Sequence, residues 1–464
     1  MAVRFSEDQV VKATGAHKVQ SGAVASYTSV ATDTRTLGPG SLFVALQGER
    51  FDAHEFLKDA VARGAAGALI KEGSKLPALP RDFGIFTVSD TLFGLGALAR
   101  FHRARFKIPV GAVTGSNGKT TVKEMAGAIL GTRGPALRTE GNLNNEVGVP
   151  LTLFRLEPAH VAAVVEMGMN RRGEIGRLAG IAQPDAGLIT VVQPAHLEGL
   201  GSIEGVAAAK GELFHGLGPH ATAVVNLDDP LIVAQAAQTR RKQLTFGRAA
   251  KADVRLFSSA ARGRDGLSLE IDHQGRRHEL KLAFVGDHNA LNATAAFALG
   301  RALGYSAEEC VMGLQAARPH AHRLNVVPAP GGATVLDDCY NANPASMGAA
   351  LDTLGELARD GRAVAVLGDM LELGDGAARE HGALGERAAK KAALLAFFGP
   401  MSAEGHTRAR AALGERAAHF TEVEPLLAWL RPRLRAGDVV LVKASRGMKL
   451  ERVVDALAGQ GGGG

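Results

Sequence analysis

Cysteine and long apolar runs are scarce in this sequence, and both absences narrow the class of protein. Cys310 and Cys339 are the two cysteines among 464 residues, too few for a disulfide framework and without a metal-binding spacing. No run of about 18 apolar residues occurs, and the first residues lack the apolar core of a signal peptide. We therefore expect a cytoplasmic protein with no membrane partner, in which both cysteines are reduced and buried.

Aromatic residues are also scarce, and the excess of positive over negative charge is small. Phenylalanine, tyrosine and tryptophan make up 5% of the chain, and the formal net charge is +6. A nucleic-acid-binding protein usually gathers lysine and arginine on one face, with aromatic side chains among them. The densest basic stretch, residues 100–107, is more typical of the exposed face of a helix. We expect no nucleic-acid partner, and the mild positive balance suits anionic small molecules such as nucleotides.

The abundant residues predict an α/β protein of about three domains, at roughly 150 residues per domain. Hydrophobic residues make up 46% of the chain, enough for sizeable cores. Residues 1–84 alternate short apolar runs with glycine- and proline-rich turns, which predicts a small α/β domain. Residues 85–322 alternate apolar strands with longer helices, the pattern of a mostly parallel sheet. Residues 323–464 repeat this alternation and predict a C-terminal Rossmann-like α/β domain.

Several segments of the last two regions predict buried parallel strands, because they are short and apolar on both faces. They are residues 110–114, 162–167, 186–192, 222–226, 334–336, 363–367, 394–398 and 439–442. Residues 91–106 and 203–217 predict helices, and the alternating residues 253–282 predict a small antiparallel insertion.

The strongest local signal is VGAVTGSNGKTTVKEM, residues 110–125. A strand ends, a glycine-containing turn follows, and a helix begins at Lys119; such a turn points backbone N–H groups at phosphate oxygens. Lys119 would reach the β- and γ-phosphates, and the Thr120 hydroxyl would bind Mg²⁺. The strict phosphate-loop pattern has a glycine where Val113 stands, so an ordinary strand–turn–helix is the alternative. The predicted ATP contacts here are Thr114, Gly115, Ser116, Asn117, Gly118, Lys119, Thr120 and Thr121.

Two side chains follow neighbouring predicted strands, at the edge where open α/β sheets bind ligands. Glu166 ends one strand and His196 follows the next. A carboxylate and an imidazole beside a triphosphate could hold Mg²⁺, although imidazole is an unusual Mg²⁺ ligand. A surface acid and a loop histidine are the alternatives. On its own, Lys210 is typical of a surface lysine whose stem lies along apolar neighbours.

Polar groups later in the chain offer contacts for a nucleotide or a substrate. Asn289 and Asn292 share a face at a predicted helix start, and their amides suit an adenine edge or helix capping equally well. Asp338 follows a strand and would bind a ribose hydroxyl or belong to a plain turn. Cationic and hydroxyl groups that could meet a carboxylate or phosphate follow the last strand: Lys443, Ser445 and Arg446.

In this order, the motifs resemble the Mur ligase family over nearly the whole chain. The ATP loop is similar over residues 114–125 (TGSNGKTTVKEM). The other similar segments are residues 142–152 (NLNNEVGVPLT), 166–168 (EMG), 195–198 (AHLE), 209–212 (AKGE), 286–292 (GDHNALN), 340–344 (YNANP), 367–374 (LGDMLELG) and 442–451 (VKASRGMKLE). Residues 191–193 (VVQ) depart from the family, which usually has an asparagine-bearing stretch there. The resemblance implies an ATP-dependent ligase whose central domain is a P-loop-type ATPase.

The resemblance also implies a metal site that the residues alone left open. Two Mg²⁺ ions are implied, the first held by Thr120 and Glu166 and the second by His196 and Lys210. Lys210 would be carbamylated, which turns a cation into an anionic oxygen ligand suited to Mg²⁺.

For the nucleotide, the resemblance implies contacts from three segments. Asn289 would bind adenine, Asp338 the ribose and Arg323 the γ-phosphate, and Asn292 and Asn341 are further implied contacts of the nucleotide. The implied catalytic residues are Lys119, Glu166, His196, Lys210 and Arg323.

The resemblance further implies the substrates. Residues 33–35 (DTR), 40–45 and 51–56 (FDAHEF) resemble a UDP-binding first domain. The YNANP segment resembles the branch that adds D-alanyl-D-alanine to UDP-N-acetylmuramoyl-tripeptide through an acyl phosphate. The implied substrate contacts are Asp33, Thr34, Arg35, Asn142, Asn145, Lys443, Ser445 and Arg446. A monomer is expected.

Two other functions stay open at this point. One is a ligase of the same superfamily with another acceptor, such as the enzyme that adds the third residue or a folate polyglutamate synthase. The other is a nucleotide-dependent regulatory or scaffold protein that has the loop but does not ligate. Glu166, His196 and Lys210 together favour ligation over this second function.

Overall fold

The computed structural model describes residues 4–48, 51–194, 197–371 and 373–459. Within these residues the strands form three separate sheets of five, nine and six strands. This confirms the predicted α/β class and the organisation into three parts. In the described part of the chain, no helix combines the length and the apolar character needed to cross a bilayer.

The strands are β1 His17–Gln20, β2 Val30–Ala31, β3 Leu42–Val44, β4 Gly67–Lys71, β5 Gly84–Val88, β6 Val110–Thr114, β7 Ala136–Arg138, β8 Ala162–Glu166, β9 Ala186–Ile189, β10 Thr222–Asn226, β11 Lys242–Gly247, β12 Val254–Ala261, β13 Leu267–His273, β14 Arg276–Leu282, β15 Asn325–Pro328, β16 Thr334–Asp337, β17 Ala363–Gly368, β18 Leu394–Phe398, β19 Ala417–Phe420 and β20 Val439–Lys443. The helices are α1 Glu7–Thr14, α2 Leu57–Ala62, α3 Thr91–Arg103, α4 Lys119–Leu130, α5 Gly148–Leu153, α6 Glu174–Ala182, α7 Leu197–Leu200, α8 Ile203–Gly216, α9 Pro230–Ala237, α10 His288–Ala302, α11 Ala307–Ala316, α12 Pro344–Leu357, α13 Ala377–Lys391, α14 Ala403–Leu413, α15 Val423–Leu430 and α16 Glu451–Ala458.

The first sheet has the order β1-β5-β4-β3-β2. Its strands are parallel except for β1, which pairs with β5 in antiparallel fashion. Strand β5 begins at Gly84 and runs to Val88, so the first sheet extends past the boundary that the sequence placed at residue 84. The edge strands β1 and β2 are absent from the sequence prediction, because both are short and lack an apolar run.

The second sheet has the order β14-β13-β12-β11-β10-β9-β6-β8-β7. It is parallel from β7 to β12, and β13 and β14 continue it in antiparallel fashion. The predicted antiparallel segment is therefore present, but it extends the main sheet instead of standing apart as an insertion. The pairing of Phe246 with Val254 makes this junction.

Helices cover both faces of the second sheet, which explains why its strands are apolar throughout. Val113 packs in one core with Val122 of α4 and residues of α10 and α11. Its neighbour Ala112 packs in another core with residues of α3, α6 and α8. Successive side chains of a strand point to opposite faces, so both must be apolar. Ligand-binding groups are thus confined to the strand ends, where β6, β8 and β9 stop side by side.

The third sheet has the order β15-β16-β20-β17-β18-β19. Only β15 is antiparallel among the described strands of this sheet, and helices again cover both faces. The segment that joins it to the second part contains Arg323, flanked by His322 and Leu324 at φ 61° and 54°. Side chains other than glycine rarely adopt this left-handed conformation, so the surrounding contacts must hold the linker.

Acid is expected to destabilise the middle part of the protein through His102 on α3. The ring is buried, its Nε2 lies 3.1 Å from the Leu156 carbonyl, and its Nδ1 has no partner. Burial lowers the pKa of His102 to about 4, so the unfolded state takes up a proton first, near pH 6.5. Stability should fall between about pH 6.5 and pH 4, by about 1–2 kcal/mol after allowance for partial solvent access. Urea unfolding of the parent and His102→Gln across this range measures the effect, and equal pH slopes would contradict it.

Candidate active site

The loop between β6 and α4 has the backbone that a phosphate needs. Gly115 and Gly118 have φ values of 146° and 80°, so the turn uses conformations that other residues rarely adopt. A Cβ on Gly115 would lie 1.8 Å from Thr190 Oγ1. Lys119, half-buried, donates from Nζ to the Gly115 carbonyl at 2.8 Å and curls over the loop. The side chain predicted to grip phosphate therefore sits directly on the phosphate-binding turn.

Gly118→Ala is expected to weaken ATP binding about tenfold or more. An added Cβ would lie 2.6 Å from Asn292 Oδ1, and the φ of 80° would be strained. Strain of this kind costs about 1–3 kcal/mol, and 1.4 kcal/mol is a tenfold change in affinity. Calorimetric titration with a non-hydrolysable ATP analogue measures it. Gly131→Ala, at the other end of the same helix with no atom within 4 Å of the new Cβ, is the matched control; similar affinities in both variants would contradict the prediction.

Side chains after β9 hold the loop from the other side. Ser116 Oγ donates to the Gln193 carbonyl at 2.8 Å and accepts from its N–H at 2.9 Å. Thr190 Oγ1 donates to the Asn117 carbonyl, and Asn117 Nδ2 donates to Gln193 Oε1 at 2.6 Å. Sequence reasoning did not single out Thr190, and it noted Gln193 only as a departure from the family. These bonds explain how a glutamine is accommodated at position 193, because its side-chain amide bonds to the phosphate loop.

Glu166 has the properties of a cation ligand. It is buried at the end of β8, and Asn144 Nδ2 donates to its Oε1 at 2.9 Å. The other carboxylate oxygen, Oε2, is buried and has no hydrogen-bond partner among the residues that the structure describes. A buried ionised oxygen normally requires a donor or a cation, so the arrangement fits a bound Mg²⁺. Thr120, the other predicted ligand of the first ion, is buried in the first turn of α4.

Lys210 is buried on α8, which excludes the surface lysine that its local sequence suggested. Burial and the nearby positive charge of Lys119 hold the pKa of Lys210 well below its usual value. Its amine is thus close to Lys119 and disfavours a proton. His196, predicted to share a metal ion with Lys210, lies outside the described residues.

A cleft of about 240 Å³ lies between the second and third parts of the protein, beside the phosphate loop. Asn289 and Asn292 of α10 line it, as do Asn117, Gly118 and Thr121. Asn292 Nδ2 donates to Asn289 Oδ1 at 2.9 Å, and Asn289 Nδ2 donates to the Val285 carbonyl at 2.8 Å. The two asparagines are thus held as a fixed pair that faces the cleft.

The third part supplies the opposite wall of the cleft. Asp338 and Lys443 line it and form a buried ion pair at 2.6 Å. Lys443 Nζ also donates to the Asn341 carbonyl at 3.0 Å, so Asn341 contributes its backbone while its side chain is exposed. Arg323 also lines the cleft, 4.2 Å from the centre of the Tyr340 ring, with its Nε buried and unpartnered.

The structure separates the three residues predicted to follow the last strand. Lys443 lies in the cleft beside the predicted ribose ligand Asp338. Ser445 is buried and accepts from the Leu371 N–H at 2.9 Å. Arg446 is exposed and pairs with Glu451 at 3.3 Å. They therefore do not form one cationic cluster, because the chain turns sharply after β20.

The remaining predicted substrate residues lie away from the cleft lining. Asp33 accepts from the Arg35 guanidinium at 2.7 Å, and this bond lowers the pKa of Asp33 to about 2. Thr34 lies between them in a single helical turn. Asn145 Oδ1 caps α5 by accepting from the Gly148 N–H at 2.8 Å. Asn142 is exposed. The neighbour that sequence reasoning missed, Asn144, is the one that contacts Glu166.

One hydrogen-bonded pair bridges the cleft. Asn343, at the start of α12, donates from Nδ2 to Asn117 Oδ1 at 2.9 Å, across 226 positions of sequence. The same Asn343 caps α12 by accepting from the Ser346 N–H. The phosphate loop is thus tied to a helix start on the facing wall, and both walls of the cleft are in contact.

A phosphate loop on a parallel sheet, facing a second α/β unit across a nucleotide-sized cleft, defines a nucleotide-dependent enzyme of two cooperating domains. The Mur ligase middle domain model matches residues 113–300, and the Mur ligase, glutamate ligase domain model matches residues 322–446. The chain belongs to the Mur ligase family.

Within that family, the chain is similar to ligases named for UDP-N-acetylmuramoyl-tripeptide and D-alanyl-D-alanine. It is 37% identical to the ligase of that name from Bacillus subtilis, over 92% of each chain. The crystal structure I of MurF from Acinetobacter baumannii matches with a TM-score of 0.90, at 32% identity over 99% of each chain. The MurF ligase of Thermotoga maritima, solved in complex with ADP, matches with a TM-score of 0.81 and 28% identity, over 93% of this chain and 97% of that one.

Proposed function

We propose that this Mur ligase joins D-alanyl-D-alanine to UDP-N-acetylmuramoyl-tripeptide at the expense of ATP, as the names of its relatives describe. The products would be a UDP-linked pentapeptide, ADP and phosphate, in the synthesis of peptidoglycan precursors. The observation that carries the proposal is the cleft, which Asn117 and Gly118 of the phosphate loop line from one side and the Asp338–Lys443 pair lines from the other. The enzyme would work as a cytoplasmic monomer.

The chemistry would proceed in two displacements. The terminal carboxylate of the tripeptide attacks the γ-phosphorus of ATP, so that a C–O–P bond forms and ADP leaves. The amine of D-alanyl-D-alanine then attacks the acyl carbon, and phosphate leaves as the amide forms. Phosphoryl transfer of this kind needs positioning and charge neutralisation more than covalent help. Lys119 and Arg323 would neutralise the γ-phosphate from the two walls of the cleft.

Thr120, Glu166, His196 and Lys210 would hold two Mg²⁺ ions, which supply further charge neutralisation when bound. The unpartnered Glu166 Oε2 supports this assignment, because an ionised oxygen in a buried site without a donor fits a cation. For Lys210, burial and the neighbouring charge favour the neutral amine, which is the form that reacts with CO₂. A carbamate formed there would turn this neutral amine into an anionic oxygen ligand.

Closure of the cleft would protect the acyl phosphate from water. The Asn117–Asn343 bond joins the two walls directly, and Arg323 and Lys443 reach the cleft only from the third part. A site assembled from two domains is complete only when they meet, which excludes water at the moment of reaction. Asn289 and Asn292 would hold adenine, and Asp338 and Asn341 the ribose.

The UDP-linked substrate would be held by the first part of the chain. Asp33, Thr34 and Arg35 form a compact turn in which the Arg35 side chain is 83% exposed. An exposed guanidinium held by its own aspartate can meet a diphosphate without a large loss of side-chain freedom. Asn142, Asn145, Ser445 and Arg446 remain proposed contacts for the peptide or the dipeptide.

Phosphate release from ATP is expected to require both UDP-N-acetylmuramoyl-tripeptide and D-alanyl-D-alanine. The mass of the product identifies the bond formed, and tripeptides ending in diaminopimelate or in lysine should be compared. Release that instead requires a UDP-linked dipeptide with free diaminopimelate or lysine would show that the enzyme adds the third residue, in the preceding reaction. Release with folate and glutamate would indicate a polyglutamate synthase. ATP binding without release in all of these mixtures would support a non-ligating protein.

A further inference from the structure

A cluster of three potential metal ligands lies beside the cleft but outside the proposed magnesium site. His322 Nδ1 lies 2.8 Å from Asp337 Oδ2, Cys339 Sγ lies 3.1 Å from Asp337 Oδ1, and Cys339 Sγ lies 3.6 Å from His322 Nδ1. All three ligand atoms are within 4.8 Å of one another. Local sequence does not reveal this cluster, because His322 comes from the linker, whereas Asp337 ends β16 and Cys339 follows it.

The distances suit a small tetrahedral cation. Zinc bonds of roughly 2.0–2.3 Å to oxygen, nitrogen and sulfur place neighbouring ligand atoms roughly 3.3–3.6 Å apart. The 3.6 Å between Cys339 Sγ and His322 Nδ1 already has this value. The two Asp337 oxygens contact the other two ligands at 2.8 and 3.1 Å, so a small shift of the carboxylate would place one oxygen as the third ligand. Three protein ligands leave a fourth position for water, and the His322 side chain, 29% exposed, opens it to solvent.

The chemistry of the ligands selects the class of metal. Mg²⁺ takes oxygen ligands in an octahedron, whereas a thiolate and an imidazole together favour Zn²⁺ and similar transition metals. Burial raises the pKa of the Cys339 thiol, and the negative charges of Asp337 and Glu451 raise it further. The thiol is therefore close to anionic groups. Glu451 Oε2 is itself buried and has no hydrogen-bond partner in the described part of the chain. Negative charge that disfavours a free thiolate attracts a cation.

The backbone supports the same reading. His322 adopts a φ of 61°, a conformation in which a non-glycine residue is strained. Its bond to Asp337 holds it there, and this bond crosses from the linker to the third sheet. Strained residues held by side-chain contacts often mark ligand sites.

We propose that His322, Asp337 and Cys339 form a binding site for a thiophilic divalent cation of the Zn²⁺ class. On binding, the Cys339 thiol releases its proton to solvent and the His322 ring carries its proton on Nε2, so that Nδ1 can coordinate the metal. The site borders the nucleotide cleft through Arg323 and Asp338, the sequence neighbours of its ligands. It is independent of the proposed ligase reaction, which needs none of these three side chains.

Cobalt(II) titration of the full-length, chelator-treated protein tests the site, with Mg²⁺ in excess so that hard-cation sites are filled. We expect one Co²⁺ per chain, with a thiolate-to-cobalt charge-transfer band in the near ultraviolet and visible bands of tetrahedral intensity. Zn²⁺ should displace the cobalt and abolish both. No charge-transfer band in the parent protein would overturn the proposal.

The two cysteines provide a matched control. Cys310 is also fully buried and free, so Cys310→Ala should keep the cobalt band and Cys339→Ala should lose it. His322→Gly should fold without difficulty, because glycine suits the φ of 61°, and it should raise the Zn²⁺ dissociation constant at least about tenfold. A band retained in Cys339→Ala, or Zn²⁺ affinity unchanged in His322→Gly, would disprove the site even if one variant proved unstable.

Discussion

Lys119→Ala is expected to lower the turnover number at least about a hundredfold, the usual effect of losing a strong electrostatic donor. The Lys119 ammonium lies on the phosphate-binding turn, 2.8 Å from the Gly115 carbonyl. Burial lowers its pKa, while the negative charge of Glu166 raises it. A cation held on this turn is available for the γ-phosphate. Steady-state phosphate release with saturating substrates measures the effect.

The control for this prediction is an exposed lysine of the same part of the chain. Lys107→Ala, on the surface before β6, should leave turnover unchanged. Near-normal turnover of Lys119→Ala would remove Lys119 from the mechanism. A loss of ATP affinity with unchanged turnover would show that it binds the nucleotide equally in the ground and transition states.

Lys210→Ala is expected to lower turnover by about a hundredfold or more without lowering the unfolding temperature. The amine is buried, and burial together with the positive charge of Lys119 disfavours its protonated form. The substitution removes an amine whose buried surroundings disfavour the charged form, so the fold should be retained, whereas losing the proposed carbamate removes a metal ligand. Phosphate release and thermal unfolding of the same preparation measure the two quantities. Formate or acetate should restore part of the activity, because either supplies the missing oxygen ligand.

Lys210→Arg separates the carbamate from a simple positive charge. Arginine keeps the charge but its guanidinium does not form a carbamate, so this variant should be as inactive as Lys210→Ala. Substantial activity in Lys210→Arg would mean that Lys210 acts as a cation. Mass spectrometry of the parent under CO₂ gives a second measurement that does not depend on turnover.

Most of the central and C-terminal strands could be predicted from the sequence. The predicted bounds of β6, β10 and β18 agree with the structure to the residue, because each is a short apolar run enclosed by turns. β1 and β2 were missed because edge strands need not be apolar, and β1 is largely exposed. Strands β12–β14 extend the main sheet because its β11 edge is free to pair with them. The local sequence pattern does not show which edge of a sheet is free.

The residues of the site also fall into those that the local sequence predicts and those that it does not. The phosphate loop could be recognised because its strand, turn and helix are consecutive. The partners of the loop and of Glu166 could not, because Gln193, Asn343 and Asn144 come from separate segments. Lys443 illustrates the difficulty: its position after a strand indicated a ligand for an anion, yet its ammonium pairs with Asp338, which follows a neighbouring strand. Pairing of parallel strands brought these two residues together.

The two walls of the cleft, which the Asn117–Asn343 bond joins, are synthesised at different times, and this order affects what the growing polypeptide can do. Synthesis completes the phosphate loop when more than half of the chain is still to be added, and domains fold as they emerge. Such a nascent chain has the loop, but it lacks Arg323, Asp338 and Lys443, which form the opposite wall. The chain can therefore consume ATP only after β20, the last strand of the third sheet to be synthesised, is in place. Unfinished or truncated chains should bind the nucleotide weakly and leave it intact, so that the cell loses no ATP to incomplete copies of the enzyme.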